Sequence, residues 1–442
     1  MSLPAAGPAV TRDRPAAAAG RAHPALWVPS LYLAMGTPMN AVAVMSAVMY
    51  KNLGLSNAEI AFYTGSLYLP WVIKPLWSPV VEMFRTKKFF VLTMELVMTG
   101  TLAAVALSLS LPGYLAWTLV FFWITGFASA TQDVAADGVY IGSMSHREQA
   151  TYVGVQGIFW NMGRIVSTGL LVTFTGMLHD GIGLDWFRSW MVVMGVLAAV
   201  MALSFVWHLK VLPSGGQAAD APESLAGAAG TFGNAFATFF RKKSIWMMIA
   251  VAYFYRFGEG LIEKIGPLFL LDEREMGGLG LDNVQLGTIN GTYGTAAFIV
   301  GALLGGLFSA RLGLRRSLLI LALALNVPHV TYVYLSQSRP ESLVAIAAAV
   351  TVEKLGYGFG SVGHMLYMMQ QMAPGPYKTA HYAFATGVMG LCMMSTGMVS
   401  GVVQEAVGYQ SFFLVVLAVS VVPLLFVWKA PFPVEEPDEA GA

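Results

Sequence analysis

Apolar runs of about 20 residues recur from Leu26 to Trp428, each long enough to cross the hydrocarbon core of a bilayer as a helix. Clusters of charge, Pro and Gly separate them and predict spans near 26–49, 57–81, 88–111, 114–141, 150–178 and 187–209, then 244–271, 283–309, 315–336, 341–371, 378–406 and 409–429. Between the sixth and seventh spans runs a polar connection, 210–243, which contains Pro213-Ser214-Gly215-Gly216 and is far longer than most other links. The pattern predicts an all-α membrane protein with about 12 transmembrane helices in two pseudo-symmetric six-helix bundles, 26–209 and 244–429. Within the connection, Phe232, Phe236, Phe239 and Phe240 fall at helical spacing before Arg241-Lys242-Lys243. They read either as an amphipathic helix on the cytoplasmic leaflet or as an early start of the seventh span.

The loop charges add an orientation. If the N-terminus is cytoplasmic, that side holds Arg12, Arg14, Arg21, Arg85, Lys87, Lys88, Arg147, Lys210, Arg241, Lys242, Lys243, Arg311, Arg315, Arg316, Lys378 and Lys429. The opposite side holds only Lys51, Arg188, Arg274 and Arg339. Cytoplasmic loops are enriched in Lys and Arg, so both termini are expected inside: a tail over 1–25 without the apolar core of a signal peptide, and an acidic tail over 430–442. Composition excludes a soluble fold, because 11% of the residues are charged and 56% hydrophobic, whereas soluble domains carry charge on roughly a quarter. A net charge of +1 without a basic block gives no reason to expect a nucleic-acid partner. The single cysteine, Cys392, excludes an intrachain disulfide.

Charges inside the spans are the candidate chemistry, since each costs about 2.5–3.5 kcal/mol at a helix centre unless it finds a partner or water. Asp133 and Asp137 share one face of the fourth span, and Lys74 of the second lies at similar depth. Their pairing reads as an ion lock or as a proton or substrate relay. Arg164, mid-span in the fifth, either clamps an anionic or hydroxyl-rich ligand with its planar fork or pairs with Asp133. On the seventh span Arg256, Glu259 and Glu263 fall at helical spacing beside Tyr253, Tyr255 and Lys264. Two carboxylates one turn apart do not both ionise easily, which makes Glu259 or Glu263 the candidate proton carrier, with Asp133 as a third; an internal salt bridge to Arg256 is the competing role. Glu353 and Lys354 are adjacent on the tenth span and therefore each need a separate partner, with Glu353 expected to face the cavity. Glu95 and Glu405 are expected to be structural and to reach the headgroups.

Helix breakers point to the same depth: Gly36-Thr37-Pro38 with Asn40 in the first span, and Gly258, Gly260 and Gly266-Pro267 in the seventh. Trp160, one turn from Arg164, can stack on a sugar ring or pack in the core. No His-Glu-x-x-His run or other metal-ligand spacing occurs, so neither a metal, a cofactor nor an enzyme activity is expected. Among the scattered histidines, His364 is the buried titratable one to watch.

The run Lys74-Pro75-Leu76-Trp77-Ser78-Pro79 before Glu82, with Ala130-Thr131-Gln132-Asp133, Asp137 and Arg164, resembles the AmpG-type muropeptide permeases, a branch of the major facilitator superfamily. Arg311-Leu312-Gly313-Leu314-Arg315-Arg316 is similar to that superfamily's loop signature. The signature implies a charge lock built from Glu82, Arg85, Lys74, Asp137, Arg311 and Arg315. Glu82 replaces the usual aspartate, and Ala310 stands at the acidic position of the second copy. Tyr68-Leu69-Pro70-Trp71-Val72-Ile73-Lys74-Pro75 with Ala135-Ala136-Asp137-Gly138 looks closest to sugar-importing permeases of this branch. The resemblance implies a monomeric inner-membrane transporter, proton-coupled, for a di- or oligosaccharide, amino sugar or muropeptide. A siderophore or other anionic metabolite is the alternative cargo, and a ligand-sensing receptor the alternative class. Asn40, Trp160, Arg164, Tyr253, Tyr255, Arg256 and Glu353 are the candidate substrate-binding residues.

Overall fold

The computed structural model describes residues 22–78, 81, 85–215 and 225–434. Most of the N-terminal tail, Glu82, part of the central connection and the acidic tail from Glu435 lie outside them. Among the described residues there are helices and no strand. Local sequence starts many of these helices. Ser56 with Glu59, Ser145 with Glu148 and Asp282 with Gln285 each form a reciprocal cap in which both side chains satisfy backbone N–H groups. Thr86 and Asp185 cap two more through a single side-chain acceptor.

Nine stretches of the described chain are long and apolar enough to cross a membrane: α1 (Pro24–Asn52), α3 (Lys87–Ser108), α4 (Tyr114–Ser143), α6 (Trp186–Val211), α7 (Ile245–Leu271), α8 (Asn283–Leu312), α9 (Leu314–Ser338), α10 (Leu343–Met372) and Lys378–Trp428. The last is two helices, α11 (378–407) and α12 (409–428), folded about Gly408 at φ 75° and ψ 165°. The less apolar α2 (57–76) and α5 (146–181) complete twelve, in two bundles of six.

The two bundles meet along α2 with α11 and α5 with α8, the same pairing reached from either half. The backbones touch there. A Cβ added to Gly401 would stand 2.2 Å from the Asn57 carbonyl oxygen, and one on Gly291 would stand 2.1 Å from that of Thr168. The α5–α8 contact runs through one π-turn on each helix, Ile165–Leu171 and Gly287–Tyr293, and thins toward the end of the molecule that carries the central connection. That end is called the linker end below, and the opposite one the far end.

At the far end the halves are cross-bonded. Lys51 Nζ lies 2.5 Å from Asp272 Oδ1. Asn57 Nδ2 donates to Gln404 Oε1 and to the Tyr409 hydroxyl, both at 2.7 Å. Tyr409 in turn donates to Asp272. Glu405 Oε1 accepts from Ala58 N at 2.8 Å, so its carboxylate sits on the N-terminus of α2 instead of reaching headgroups. Glu95 is structural as expected, but inside the bundle and not at the headgroups. It is fully buried, 2.6 Å from His208 Nδ1 and 3.0 Å from Gln132 Nε2, and ties α3, α4 and α6 together.

In the connection, Leu225–Phe240 is a helix of its own, and a turn through Arg241 to Ser244 separates it from α7. Its Phe239 is buried, and Phe232 and Phe236 pack edge-on against Phe384 of α11. Lys242 donates to the Met372 and Pro374 carbonyls at the end of α10.

Candidate functional site

Backbone irregularities set where the buried charges point. Pro38 has no N–H to donate, and α1 passes into a π-turn at Ala41–Met45. Asn40 bonds back to Gly36 O at 2.8 Å and so serves its own helix. In α7 the helix breaks at Arg256, which has φ −112° and ψ 20°. The break turns Arg256 away from Glu259. Its Nη2 donates to the Tyr357 hydroxyl at 2.6 Å, and its guanidinium lies 4.8 Å over that ring. The expected Arg256–Glu259–Glu263 row therefore does not form as one face.

Each of its carboxylates has a different partner. Glu263 Oε1 is 3.6 Å from Arg164 Nη2, across the seam between halves, with both side chains 12% exposed. Arg164 consequently does not serve Asp133. That aspartate is 2.5 Å from Lys74 Nζ, while Asp137 Oδ1 accepts from the Tyr32 hydroxyl at 2.8 Å. Next to Glu263, Lys264 also crosses the seam: its Nζ donates to Ala43 O of the α1 π-turn at 2.9 Å and to Thr64 of α2 at 2.8 Å. Its ammonium faces the Tyr68 ring at 6.0 Å. Arg164, Glu263, Arg256, Lys264, Tyr68 and Tyr357 thus form a polar patch where the two halves touch, near the middle of α5 and α7.

A second group lies inside the second half. Lys354 Nζ is 3.3 Å from Glu259 Oε1 and 3.1 Å from Glu353 Oε2, so the neighbours Glu353 and Lys354 converge instead of needing separate partners. A four-carbon lysine stem can bend back over its own helix. Glu353 is fully buried, with Lys354 of its own helix as its ion-pair partner. His329, beside Pro328 where α9 tightens into a 3-10 turn, places Nε2 3.5 Å from Glu259 Oε2 and Nδ1 2.7 Å from Ser420 Oγ. Glu259, His329 and Glu353 each bring one ligand-type atom within 4.8 Å of the others. The Lys354 ammonium already lies on both carboxylates, where a metal ion would have to sit, so the group does not fit a metal.

The remaining predicted residues serve packing or stand apart. Tyr255 is fully buried, stacked 4.7 Å from His364, and donates to Gly360 O. His364 itself holds Ala252 O at 2.9 Å. Tyr253 meets Ser395 at 2.7 Å. Trp160 is half-buried against the α1–α4 core, and its carbonyl presses on Gly36. Arg85 lies over Phe89, Arg311 is exposed at the end of α8, and Arg315 lies over Phe432. The described residues do not join these three to Lys74 and Asp137. Sequence reasoning missed His329 and the roles of Lys264, Lys51, Asn57 and Asp272. The signal for His329 was its place beside a helix-breaking proline.

Known proteins share this organisation. Over 381 residues the chain is 24% identical to the anhydromuropeptide permease of Escherichia coli, covering 85% of this chain and 72% of that one. It is 22% identical over 412 residues to a transporter of Rickettsia conorii named AmpG 4, covering 90% and 94%. Among solved structures, a D-xylose–proton symporter superposes with a TM-score of 0.71 at 12% identity, covering 92% of this chain and 98% of that one. The nucleoside transporter NupG gives 0.67 at 16%, covering 91% and 98%. Residues 30–401 match the Major Facilitator Superfamily, and with twelve helices in two facing bundles the chain belongs to that family of membrane transporters.

Proposed function

We propose that this transporter imports a di- or oligosaccharide, amino sugar or muropeptide together with protons, by rocking its two halves about the Arg164–Glu263 patch. The observation that carries the reading is that ion pair: two charges from opposite halves, 3.6 Å apart and 12% exposed, with Arg256, Tyr357 and Tyr68 around them. A guanidinium so loosely engaged can exchange its carboxylate for a ligand's hydroxyl or carboxylate groups, and tyrosines suit a sugar's alternating apolar faces and hydroxyls. Substrate on Arg164 would free Glu263 and unlatch one contact between the halves, which links occupancy to movement. The similarity to an anhydromuropeptide permease supports the cargo class. The loop charges support a place in the bacterial inner membrane with both termini in the cytoplasm. We treat the monomer as the working unit.

The test is uptake of labelled anhydromuropeptide into proteoliposomes under an imposed pH gradient, with a xylose disaccharide and a ferric hydroxamate siderophore as comparators. Concentrative uptake of a sugar-type solute that collapses with the gradient is expected. Uptake of the siderophore alone would replace this reading with its competitor, an importer of anionic metabolites, which the three cations Arg164, Arg256 and Lys264 at the patch favour. Comparing Glu259→Gln with Asp133→Asn separates coupling from scaffolding: the first should abolish the pH dependence and the second should not.

A further inference from the structure

At the far end, three connections of the second half enclose a cavity of about 350 Å³. Glu275, Met276 and Gly277 come from the link between α7 and α8, Arg339 follows α9, and Val407 to Ser411 make the fold between α11 and α12. The backbone around it takes an uncommon shape. Gly277 and Gly408 have φ 85° and 75°, and Arg339, which has a Cβ to accommodate, has φ 42°. Arg274 fixes that residue. Its Nη1 donates to Arg339 O at 2.9 Å and its Nη2 to Pro340 O at 2.8 Å, while Arg339 Nη1 returns a bond to Arg274 O at 3.0 Å. Left-handed residues other than glycine persist where the surroundings over-determine them, and they cluster at ligand clamps.

The charges on this frame have no partners in the chain. Glu275 and Arg339 line one cavity with opposite sign, yet among the described residues neither is in an ion pair, with the other or with a third group. Lys51 and Asp272, at the same end, do pair. Met276 and Val407 expose apolar side chains on the same lining. A carboxylate suits the remaining N–H groups of Arg339, an ammonium suits Glu275, and an apolar side chain suits Met276, whose unbranched thioether adapts to irregular shapes. We infer that this cavity binds a zwitterionic amino acid or short peptide, and that its occupant holds the far end closed through Tyr409.

Tyr409 makes the link. It is buried and lines the cavity, and its hydroxyl accepts from Asn57 of the first half at 2.7 Å and donates to Asp272. Opening the far end has to part Asn57 from Tyr409. An occupant against the tyrosine denies it room to swing away, so it binds the closed form better and shifts the population toward it. The site is separate from the Arg164–Glu263 patch, because every lining residue belongs to the second half and to the far end. It goes beyond the cargo assignment and does not need it. On the orientation proposed above the cavity opens to the outside, and a free external solute slows the carrier.

The test is binding of tritiated leucyl-alanine to the full-length protein in nanodiscs. Saturable binding is expected, at least about tenfold weaker in Arg339→Gln and in Glu275→Gln and unchanged in Arg164→Lys. The same dipeptide acetylated and amidated, with both charges removed, should not compete. Leucyl-alanine should also reduce by about threefold the maleimide labelling of a cysteine placed at Asn283 in a Cys392→Ser background. Arg339→Gln gives up a bond to Arg274 O; should it fail to fold, Glu275→Gln and the blocked dipeptide decide. Absence of saturable binding overturns the inference, as does binding that survives both charge variants. Binding lost in Arg164→Lys and kept in Glu275→Gln would move the ligand to the patch. Loss in Arg339→Gln alone would make the cavity an anion site, and unchanged labelling would remove the action on closure; each of these also overturns it.

Discussion

Lys51 and Asp272 meet at 2.5 Å across the far end, one from each half, with side chains 19% and 12% exposed. They are partly shielded from water, and the Asn57–Gln404–Tyr409 bonds hold them in place, so the pair is worth more than a surface bridge. Asp272→Asn should shift the population toward opening at this end by about 1–2 kcal/mol, a factor of about 5–30. The measurement is labelling by an impermeant maleimide of a cysteine placed at Asn283, in a Cys392→Ser background. Unchanged labelling would show that the network does not hold the halves together.

Arg164→Lys keeps the charge and loses the planar fork. If the guanidinium grips ligand and Glu263 alternately, KM for the transported solute should rise about tenfold or more while protein yield is unaffected. A kcat loss at constant KM would place Arg164 in the moving machinery and not in binding.

Gly291→Ala puts a methyl group 2.1 Å from the Thr168 carbonyl oxygen. Overpacking of this kind costs typically about 1–3 kcal/mol, so the far-end-closed state should lose stability and Tm in detergent should fall by several degrees. The control is Gly306→Ala, where an added Cβ has open space and Tm should stay put.

Lys264 has hydrogen bonds to a carbonyl and a hydroxyl and no carboxylate among its direct partners, at 5% exposure. Lys264→Met removes a buried charge and fills the same volume. A buried ammonium without a carboxylate partner carries a desolvation cost that its removal regains. We expect Tm to hold or rise and transport to slow at least several-fold, because the bond across the seam to the Ala43 carbonyl is lost. A variant both less stable and fully active would contradict this.

What the sequence made legible follows from what it encodes locally. Apolar runs and loop charge report each helix by itself, which is why α1 to α12 could be drawn from 26 to 429 with few errors in extent. Lys74 and Asp133 could be matched because both are charges at similar depth in one half. Arg164 and Glu263 could not, because their contact depends on how the two halves face each other, and helical spacing says nothing about that. Arg256 misled for a local reason. The i, i+3 rule holds inside a helix, and α7 is interrupted at that residue, while its helix breakers Gly258, Gly260 and Gly266-Pro267 all lie beyond it. His364, the buried histidine that the sequence singles out, sits in an unbroken part of α10, while His329 lies where Pro328 tightens α9.

The π-turns of α5 and α8 have a mechanical consequence. At Gly169, Gly287 and Gly291 main chain lies on main chain or on a short threonine, with no large side chains meshed between the helices. Surfaces that do not interlock can slide and tilt at little cost, whereas ridges set into grooves must first be lifted out. The molecule therefore carries its bearing in the middle of the seam and its fasteners at the rim, and its speed of turnover should be governed by the rim.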